Sequence, residues 1–341
     1  MALVKCYHKW TQWLDKDADY VRVFSFDYSK AFDSVSHSIL CNKLKLIGLN
    51  PYIVNWTINF LSGRQQRVVV DGVITKFLPI NQGVPQGTIL GPILFSLMIN
   101  DLKTVDPERN LLIKFADDMN LGVPVRGDQD PSIEEVDNIR NWSTENRMKL
   151  NFSKTWEMVV RGKIPCALDD CIFGIERKDS LKLLGVIFNE NPCNWDLQID
   201  SILGKANNRL YILRICRHYG YPKDQLCMLF HSLIMSLFLY GIEIWGSAYQ
   251  DKYLSRIDRF CKRAYKFGYT TKKISMSEIV ADRDRKMWNC IINNPEHSLY
   301  DLLPPKRKRV LRKRGHDFIL PKAQTERFKK TFINRCLFNF V

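Results

Sequence analysis

The stretch LLIKFADDMNLGVPV, residues 111–125, places two acids, Asp117 and Asp118, between two apolar runs. Each run has the length and composition of a short buried strand. The stretch therefore predicts a strand, a tight turn and a second strand, with both acids at the turn. Burying a carboxylate without a partner is costly, so two adjacent acids at this turn need either open solvent or a cation.

A third acid, Asp27, ends another predicted strand. The segment VRVFSFDYS, residues 21–29, is rich in β-branched and aromatic residues, a pattern that favours a buried strand. If the two strands are neighbours in one sheet, three carboxylates converge and their repulsion raises some of their pKa values. Magnesium ions relieve that conflict because they prefer hard oxygen ligands. Two such ions about 4 Å apart would clamp both oxygens of a phosphoryl transfer. The alternative interpretation is an exposed turn and a solvated strand end.

A loop rich in glycine and proline separates these acids along the chain. It is NQGVPQGTILGPILF, residues 81–95, and its glycines let the backbone approach a ligand closely. Gln86 offers both a donor and an acceptor, and the apolar helix predicted behind it would hold the loop still. The loop can form the floor of a nucleotide site. A rigid turn before a core helix is the alternative.

The order of elements predicts an α+β fold. Strands and helices mix without regular alternation up to about residue 190, and a helix from residue 132 would open with a capping box of Ser132 and Glu135. The later chain predicts long helices at 196–217, 223–245, 251–267 and 275–293. The apolar run 226–245 is interrupted by His231 and Glu243, so it predicts a buried helix and no membrane span.

Positive charge is concentrated in the last quarter of the chain. The formal net charge is +15, and residues 251–341 hold 23 Lys and Arg against 9 Asp and Glu. A basic lobe on a near-neutral body indicates a polyanion partner, most often nucleic acid, whereas a solvated helical surface is the alternative. The 10 cysteines include no Cys-x-x-Cys pair, which favours a reduced, intracellular compartment.

Five segments together resemble a known family. FSFDYSKAFDSVSH, GVPQGTILGPILF, FADD, LNFSKT and LKLLGVIF stand in the order of motifs A, B, C, D and E of reverse transcriptases. They are similar to the non-LTR (LINE-type, jockey-like) retrotransposon class, as are WTINFLSGRQQRVVVDG and LYGIEIWG. The resemblance covers about residues 20–270.

The resemblance implies the palm of a right-hand polymerase, an antiparallel sheet with packed helices, followed by a helical thumb. The expected domains are a finger remnant or linker at 1–20, the palm with motifs A to E at 21–192, the thumb at 193–295 and a basic tail at 296–341. Only 26 residues precede Asp27, so we expect the fingers to be largely missing, as in a truncated copy or an incomplete gene model.

The resemblance also implies roles for individual residues. Asp27, Asp117 and Asp118 match the catalytic, metal-binding triad, and the Tyr28 carbonyl matches a further metal ligand. The residues expected to contact the nucleotide are Phe32 as a steric gate against the ribose 2′-hydroxyl, Gln86, Gly87 and Lys154. A plain solvated lysine is the alternative for Lys154. The expected primer grip is Leu183, Leu184, Gly185 and Val186. The tail residues expected to hold the nucleic-acid backbone are Lys306, Arg307, Lys308, Arg309, Arg312, Lys313 and Arg314; an exposed, partly disordered tail is the alternative.

The implied function is RNA-directed DNA polymerase activity, a nucleotidyl transfer. The expected partners are an RNA template, a DNA primer, dNTPs and two Mg²⁺ ions, which Mn²⁺ can replace, with no membrane. The expected location is intracellular, in the nucleus with a cytoplasmic ribonucleoprotein stage. An inactive nucleic-acid-binding remnant, an RNA-directed RNA polymerase and a translated pseudogene are the alternatives, and Phe32 argues against RNA synthesis. The sequence leaves the oligomeric state open.

Overall fold

The computed structural model describes residues 1–162, 166–246, 251–307 and 316–339. The chain divides into two compact units. The first, here called the sheet unit, comprises residues 22–157 and 168–178. The second, here called the helical unit, comprises residues 1–21, 158–167 and 179–341. The chain is mixed helix and sheet, as predicted.

Five strands form one sheet. They are β1 (Tyr20–Phe26), β6 (Leu111–Phe115), β7 (Asp118–Val125), β8 (Trp156–Arg161) and β9 (Glu176–Arg177), and their order in the sheet is β6-β7-β1-β8-β9. β6 and β7 pair antiparallel from Leu111 opposite Gly122 to Phe115 opposite Asp118, so the predicted acid hairpin is confirmed. β1 and β7 are neighbours, which is the adjacency that the three acids require.

Four helices and two small hairpins complete the sheet unit. The helices are α2 (His37–Leu46), α3 (Pro51–Leu61), α4 (Leu90–Met98) and α5 (Ser132–Glu145). β2 (Gln65–Gln66) pairs with β5 (Leu78–Pro79), and β3 (Val69–Val70) with β4 (Val73–Ile74). α4 is less enclosed than its composition predicts, because Ile89 before it and Ile93 within it are exposed.

The predicted capping box at α5 is wrong. The amide of Ser132 donates to the Asp130 carboxylate instead. Glu135 is buried and accepts from the backbone amides of Val105 and Asp106 and from the Asn110 side chain. A carboxylate with three distant donors is not available to cap its own helix, and local sequence cannot show that competition.

The helical unit begins with α1 (Ala2–Lys16) and ends with two short helices that pack on it. Its other elements are β10 (Ser180–Leu183), β11 (Val186–Asn189), α6 (Asp196–His218), α7 (Lys223–Phe230), α8 (Ser236–Leu239), α9 (Ile242–Trp245), α10 (Lys252–Lys266), α11 (Met276–Ile292), α12 (Glu326–Lys329) and α13 (Phe332–Asn339). The buried ring of His8 on α1 lies 3.2 Å from the Thr331 hydroxyl. Both chain ends therefore belong to one compact unit.

The single helix predicted at 223–245 is wrong. A π-helical turn at His231–Met235 follows α7, and extended Tyr240 and left-handed Gly241, at φ 64°, separate α8 from α9. The Tyr240 hydroxyl donates to the Leu184 carbonyl at 2.5 Å. In the parts of the chain that the structure describes, no helix combines the length and the apolar character needed to cross a bilayer.

Candidate active site

The acid hairpin turns within two residues. Ala116 and Asp117 lie between the paired residues Phe115 and Asp118, and Ala116 has φ 51°. A positive φ at a residue with a Cβ costs of order 1–3 kcal/mol and is concentrated at functional sites. The strained turn places both acids at the end of the hairpin, where the strands stop pairing.

Asp27 follows the end of the neighbouring strand β1, and the three carboxylates interact. Partial burial raises the pKa of Asp118, and the negative charges of Asp117 and Asp27 raise it further. This is the repulsion that the sequence predicts for converging acids. Within residues 1–162, 166–246, 251–307 and 316–339, no three His, Cys, Asp or Glu side chains form a group that could hold a metal ion. The charges of Asp117 and Asp27 thus act on Asp118, but the three side chains are not arranged as a ready-made set of metal ligands.

The backbone around Asp27 is fixed by the segment that precedes β8. Tyr28 forms an antiparallel bridge with Leu150, in which the Asn151 amide donates to the Asp27 carbonyl at 2.8 Å and the Ser29 amide to the Lys149 carbonyl at 2.9 Å. Because successive carbonyls of an extended chain alternate in direction, the Tyr28 carbonyl points away from Leu150. The buried Tyr28 side chain is held by the Ser143 hydroxyl, at 3.0 Å.

The loop containing Gln86 packs directly on the turn that follows Asp27. The amide of Val84 donates to the Phe32 carbonyl at 2.8 Å, and Gln86 donates to the Asp33 carboxylate at 2.9 Å. A Cβ at Gly83 would lie 2.8 Å from the Asp33 carbonyl oxygen, so only glycine permits this approach. The structure therefore brings the predicted residues Phe32 and Gln86 into one assembly.

The Phe32 ring is held from beneath by the following helix. It is partly buried and stacks on Phe95 of α4, with ring centroids 4.7 Å apart and planes at 26°. Gly87 beside Gln86 has φ 76°, and an added Cβ there would meet no atom within 4 Å. The predicted Gly87 thus serves the turn of the loop and leaves open space above it.

A cavity of about 840 Å³ opens between these loops. Its charged or ionisable lining residues are Lys30, Asp33, His37, Arg64 and Lys149, and Gln86 lies among them. Sequence reasoning missed the four basic groups as one set, because they come from three separate segments. Lys30 and His37 lie within the FSFDYSKAFDSVSH stretch and Arg64 within WTINFLSGRQQRVVVDG, whereas Lys149 lies outside the stretches that resemble the family. A mainly cationic cavity beside Gln86 fits a ligand with phosphate groups.

The family model "Reverse transcriptase (RNA-dependent DNA polymerase)" matches residues 4–188. The chain belongs to the reverse transcriptase family. The predicted resemblance to jockey-like, non-LTR reverse transcriptases is also confirmed, because the relatives below include the jockey polymerase itself.

The similar proteins include two from Drosophila melanogaster that carry a polymerase name. The probable RNA-directed DNA polymerase from transposon BS is 26% identical over 269 residues, which cover 73% of this chain and 29% of that protein. The RNA-directed DNA polymerase from mobile element jockey is 25% identical over 238 residues, covering 65% and 25%. The chain thus spans less than a third of the length of either relative.

Among solved structures, telomerase from Candida tropicalis in complex with a fragment of telomeric RNA is similar at a TM-score of 0.42. The identity is 11%, and the match covers 82% of this chain and 51% of that one.

The remaining predicted site residues lie outside this cavity. Lys154 is exposed in a short turn, Phe152–Lys154. In the predicted primer grip, Leu183 and Val186 are buried, so only the turn residues Leu184 and Gly185 are accessible. Lys306 bridges to Phe318 and the Arg307 amide donates to the Asp317 carbonyl. The other predicted tail contacts, Lys308, Arg309, Arg312, Lys313 and Arg314, lie outside the described residues.

Proposed function

We propose that this chain carries the polymerase centre of a non-LTR retrotransposon reverse transcriptase, which adds dNTPs to a primer 3′-hydroxyl on an RNA template. One observation carries the proposal beyond family membership. Asp27 and the acid hairpin lie at the ends of neighbouring strands, and partial burial, followed by the charges of Asp117 and Asp27, raises the pKa of Asp118. Repulsion between carboxylates destabilises a fold. A cluster of acids is therefore better explained by bound cations, which relieve the repulsion.

The family generally uses divalent metal ions, and the chemical type of the donor atoms here suits such ions. The carboxylates of Asp27, Asp117 and Asp118 and the Tyr28 carbonyl are hard oxygen donors, which Mg²⁺ prefers and Mn²⁺ accepts. We infer that these four groups hold two ions. Bound there, the ions would supply charge stabilisation for phosphoryl transfer.

The chain's own residues position the reactants. Gln86 and the cationic groups of the cavity, Lys30, Arg64 and Lys149, would orient the incoming triphosphate, and the Phe32 ring would close the space beside the ribose 2′ carbon. Holding the primer hydroxyl and the α-phosphate in line is the main source of acceleration in such reactions. In this proposal the sheet unit acts as the palm, and the hairpin of β10 and β11 with the helices after it as primer grip and thumb.

Primer extension tests this function. The full chain is incubated with a primed RNA template, the four dNTPs and Mg²⁺, and compared with Asp118→Asn and with the exposed control Asp128→Asn. We expect extension by the unchanged chain and by the control, and none above background by Asp118→Asn. Extension that persists in Asp118→Asn would remove this site from the proposal.

The steric gate has its own test. Phe32→Ala opens the space beside the sugar, so the preference for dNTPs over NTPs should fall roughly 10- to 100-fold. Competition between dCTP and CTP in the extension assay measures the preference. Phe152→Ala, which removes an exposed ring of the same unit, should leave it unchanged. An unchanged preference in Phe32→Ala would show that the ring does not face the ribose.

A second candidate function rests on charge. The excess of Lys and Arg in residues 251–341 favours binding of nucleic acid through the backbone, even if the chain is a catalytically inactive remnant. RNA binding whose affinity falls steeply with salt, without any Mg²⁺-dependent synthesis, would identify this function.

A further inference from the structure

Asn151 makes two hydrogen bonds to Asp27, one from its backbone and one from its side chain. Its amide nitrogen donates to the Asp27 carbonyl at 2.8 Å, and Nδ2 donates to Asp27 Oδ2 at 3.2 Å. We propose that Asn151 is a positioning residue that orients the Asp27 carboxylate for binding a divalent cation. This inference rests on the proposed function and assigns a role to a residue between the predicted sites Asp27 and Lys154.

The side-chain amide of Asn151 is itself held in one orientation. The Ser153 hydroxyl donates to Asn151 Oδ1 at 2.7 Å. An ionised carboxylate can only accept, so the amide nitrogen faces Asp27, and the amide oxygen therefore faces the Ser153 hydroxyl. Hydrogen-bonded groups of this kind behind a metal ligand set its orientation and its affinity.

The backbone of Asn151 is anchored independently of that amide. Its carbonyl accepts from the Lys154 amide at 3.0 Å and from the hydroxyl of fully buried Thr155 at 2.9 Å. Removing the side chain therefore leaves the backbone bridge between Tyr28 and Leu150 in place. The amide engages Oδ2 of Asp27, which leaves Oδ1 as the oxygen with which Asp27 would bind a shared cation.

A direct metal titration tests the inference without polymerisation. Mn²⁺ alone is titrated into the full chain by calorimetry, with Asp27→Asn as the reference that removes the ligand. We expect Asn151→Ala and Asn151→Leu to weaken Mn²⁺ binding about 10-fold. The matched control is Asn138→Ala, since the Asn138 amide donates to the Lys103 carbonyl at 2.8 Å in the same unit; its affinity should stay within about twofold of the unchanged chain.

Three outcomes overturn the inference: no Mn²⁺ binding that depends on Asp27, unchanged affinity in both Asn151 variants, or a loss that the Asn138 control shares. Melting temperatures identify a variant that fails to fold, and the second Asn151 variant then decides. If affinity depends on Asn151 but the unchanged chain extends no primer, the inference stands and the proposed function fails. In an active chain, excess Mn²⁺ should restore most of the extension rate of Asn151→Ala, which a general structural defect would not allow.

Discussion

The carboxylates at the two ends of strand β1 have opposite electrostatic environments. At its start, the guanidinium of Arg22 is buried and bonds to Glu157 at 2.7 Å and to Asp130 at 2.5 Å, while Arg177 also reaches Glu157, at 2.9 Å. At its other end, the negative charges of Asp117 and Asp27 both act on Asp118. Every cause acting on the pKa of Asp118 raises it.

This contrast distinguishes a structural ion network at the Arg22 end from a candidate functional site at the Asp27 end. Burial alone would raise the pKa of Asp130, but hydrogen bonds from Ser132 and Arg22 and the Arg22 charge hold it below its usual range. The opposite charges at the Arg22 end are thus paired, and these ion pairs connect three elements of the sheet unit. At the Asp27 end, the negative charges of the acids repel one another, and bound cations would balance them. Three comparisons between the two ends test this difference.

The largest expected difference is in activity. Asp27→Asn should lower the primer-extension rate by at least about 10³-fold, since it removes a proposed ligand and its charge. That loss corresponds to about 4 kcal/mol of transition-state stabilisation. Asp130→Asn, at the opposite end of the strand, should retain most of the rate once compared at a temperature where both variants are folded. Equal losses would mean that the two ends do not differ in function.

Next in size is the expected effect on stability. Glu157→Ala should lower the free energy of unfolding by about 3–5 kcal/mol, because the buried guanidinium of Arg22 and the partly buried guanidinium of Arg177 lose their shared partner. Urea denaturation followed by circular dichroism measures it. Glu176→Ala, an exposed acid on β9, should change the stability by less than about 0.5 kcal/mol. A loss below about 1 kcal/mol in Glu157→Ala would show that the Arg22 end is not a structural anchor.

The sequence predicted the two ends unequally. The acid hairpin and β1 follow from apolar runs that stop at an acid, and the family resemblance supplied their adjacency. Neither signal predicts the contacts among Arg22, Glu157 and Arg177. These contacts join residues that are far apart in sequence, and each residue by itself resembles an ordinary surface charge. The same reason hid the basic cavity lining and Asn151. Local patterns found the elements, whereas contacts between distant side chains required the structure.

The smallest expected difference is in the pH dependence of stability, and it has opposite signs at the two ends. The lowered pKa of Asp130 means that its ionised form stabilises the fold above its ordinary range, and that this contribution is lost as pH falls. The raised pKa of Asp118 means that its ionised form destabilises the fold at neutral pH, and that falling pH relieves the repulsion.

In EDTA at pH 7, Asp130→Asn should therefore be less stable than the unchanged chain. Asp118→Asn should be more stable by about 0.5 kcal/mol, a small value because Asp118 is exposed to screening solvent. The Asp118→Asn difference should shrink as urea denaturation is repeated from pH 7 toward pH 4, whereas the Asp130→Asn difference should shrink only as the pH falls below the ordinary carboxyl pKa of 3.8. Added Mg²⁺ should stabilise the unchanged chain more than Asp118→Asn and so reduce or reverse the advantage of that variant. If Asp118→Asn were the less stable protein at pH 7, the acids at the Asp27 end would be partnered within the fold, and the contrast between the two ends would disappear.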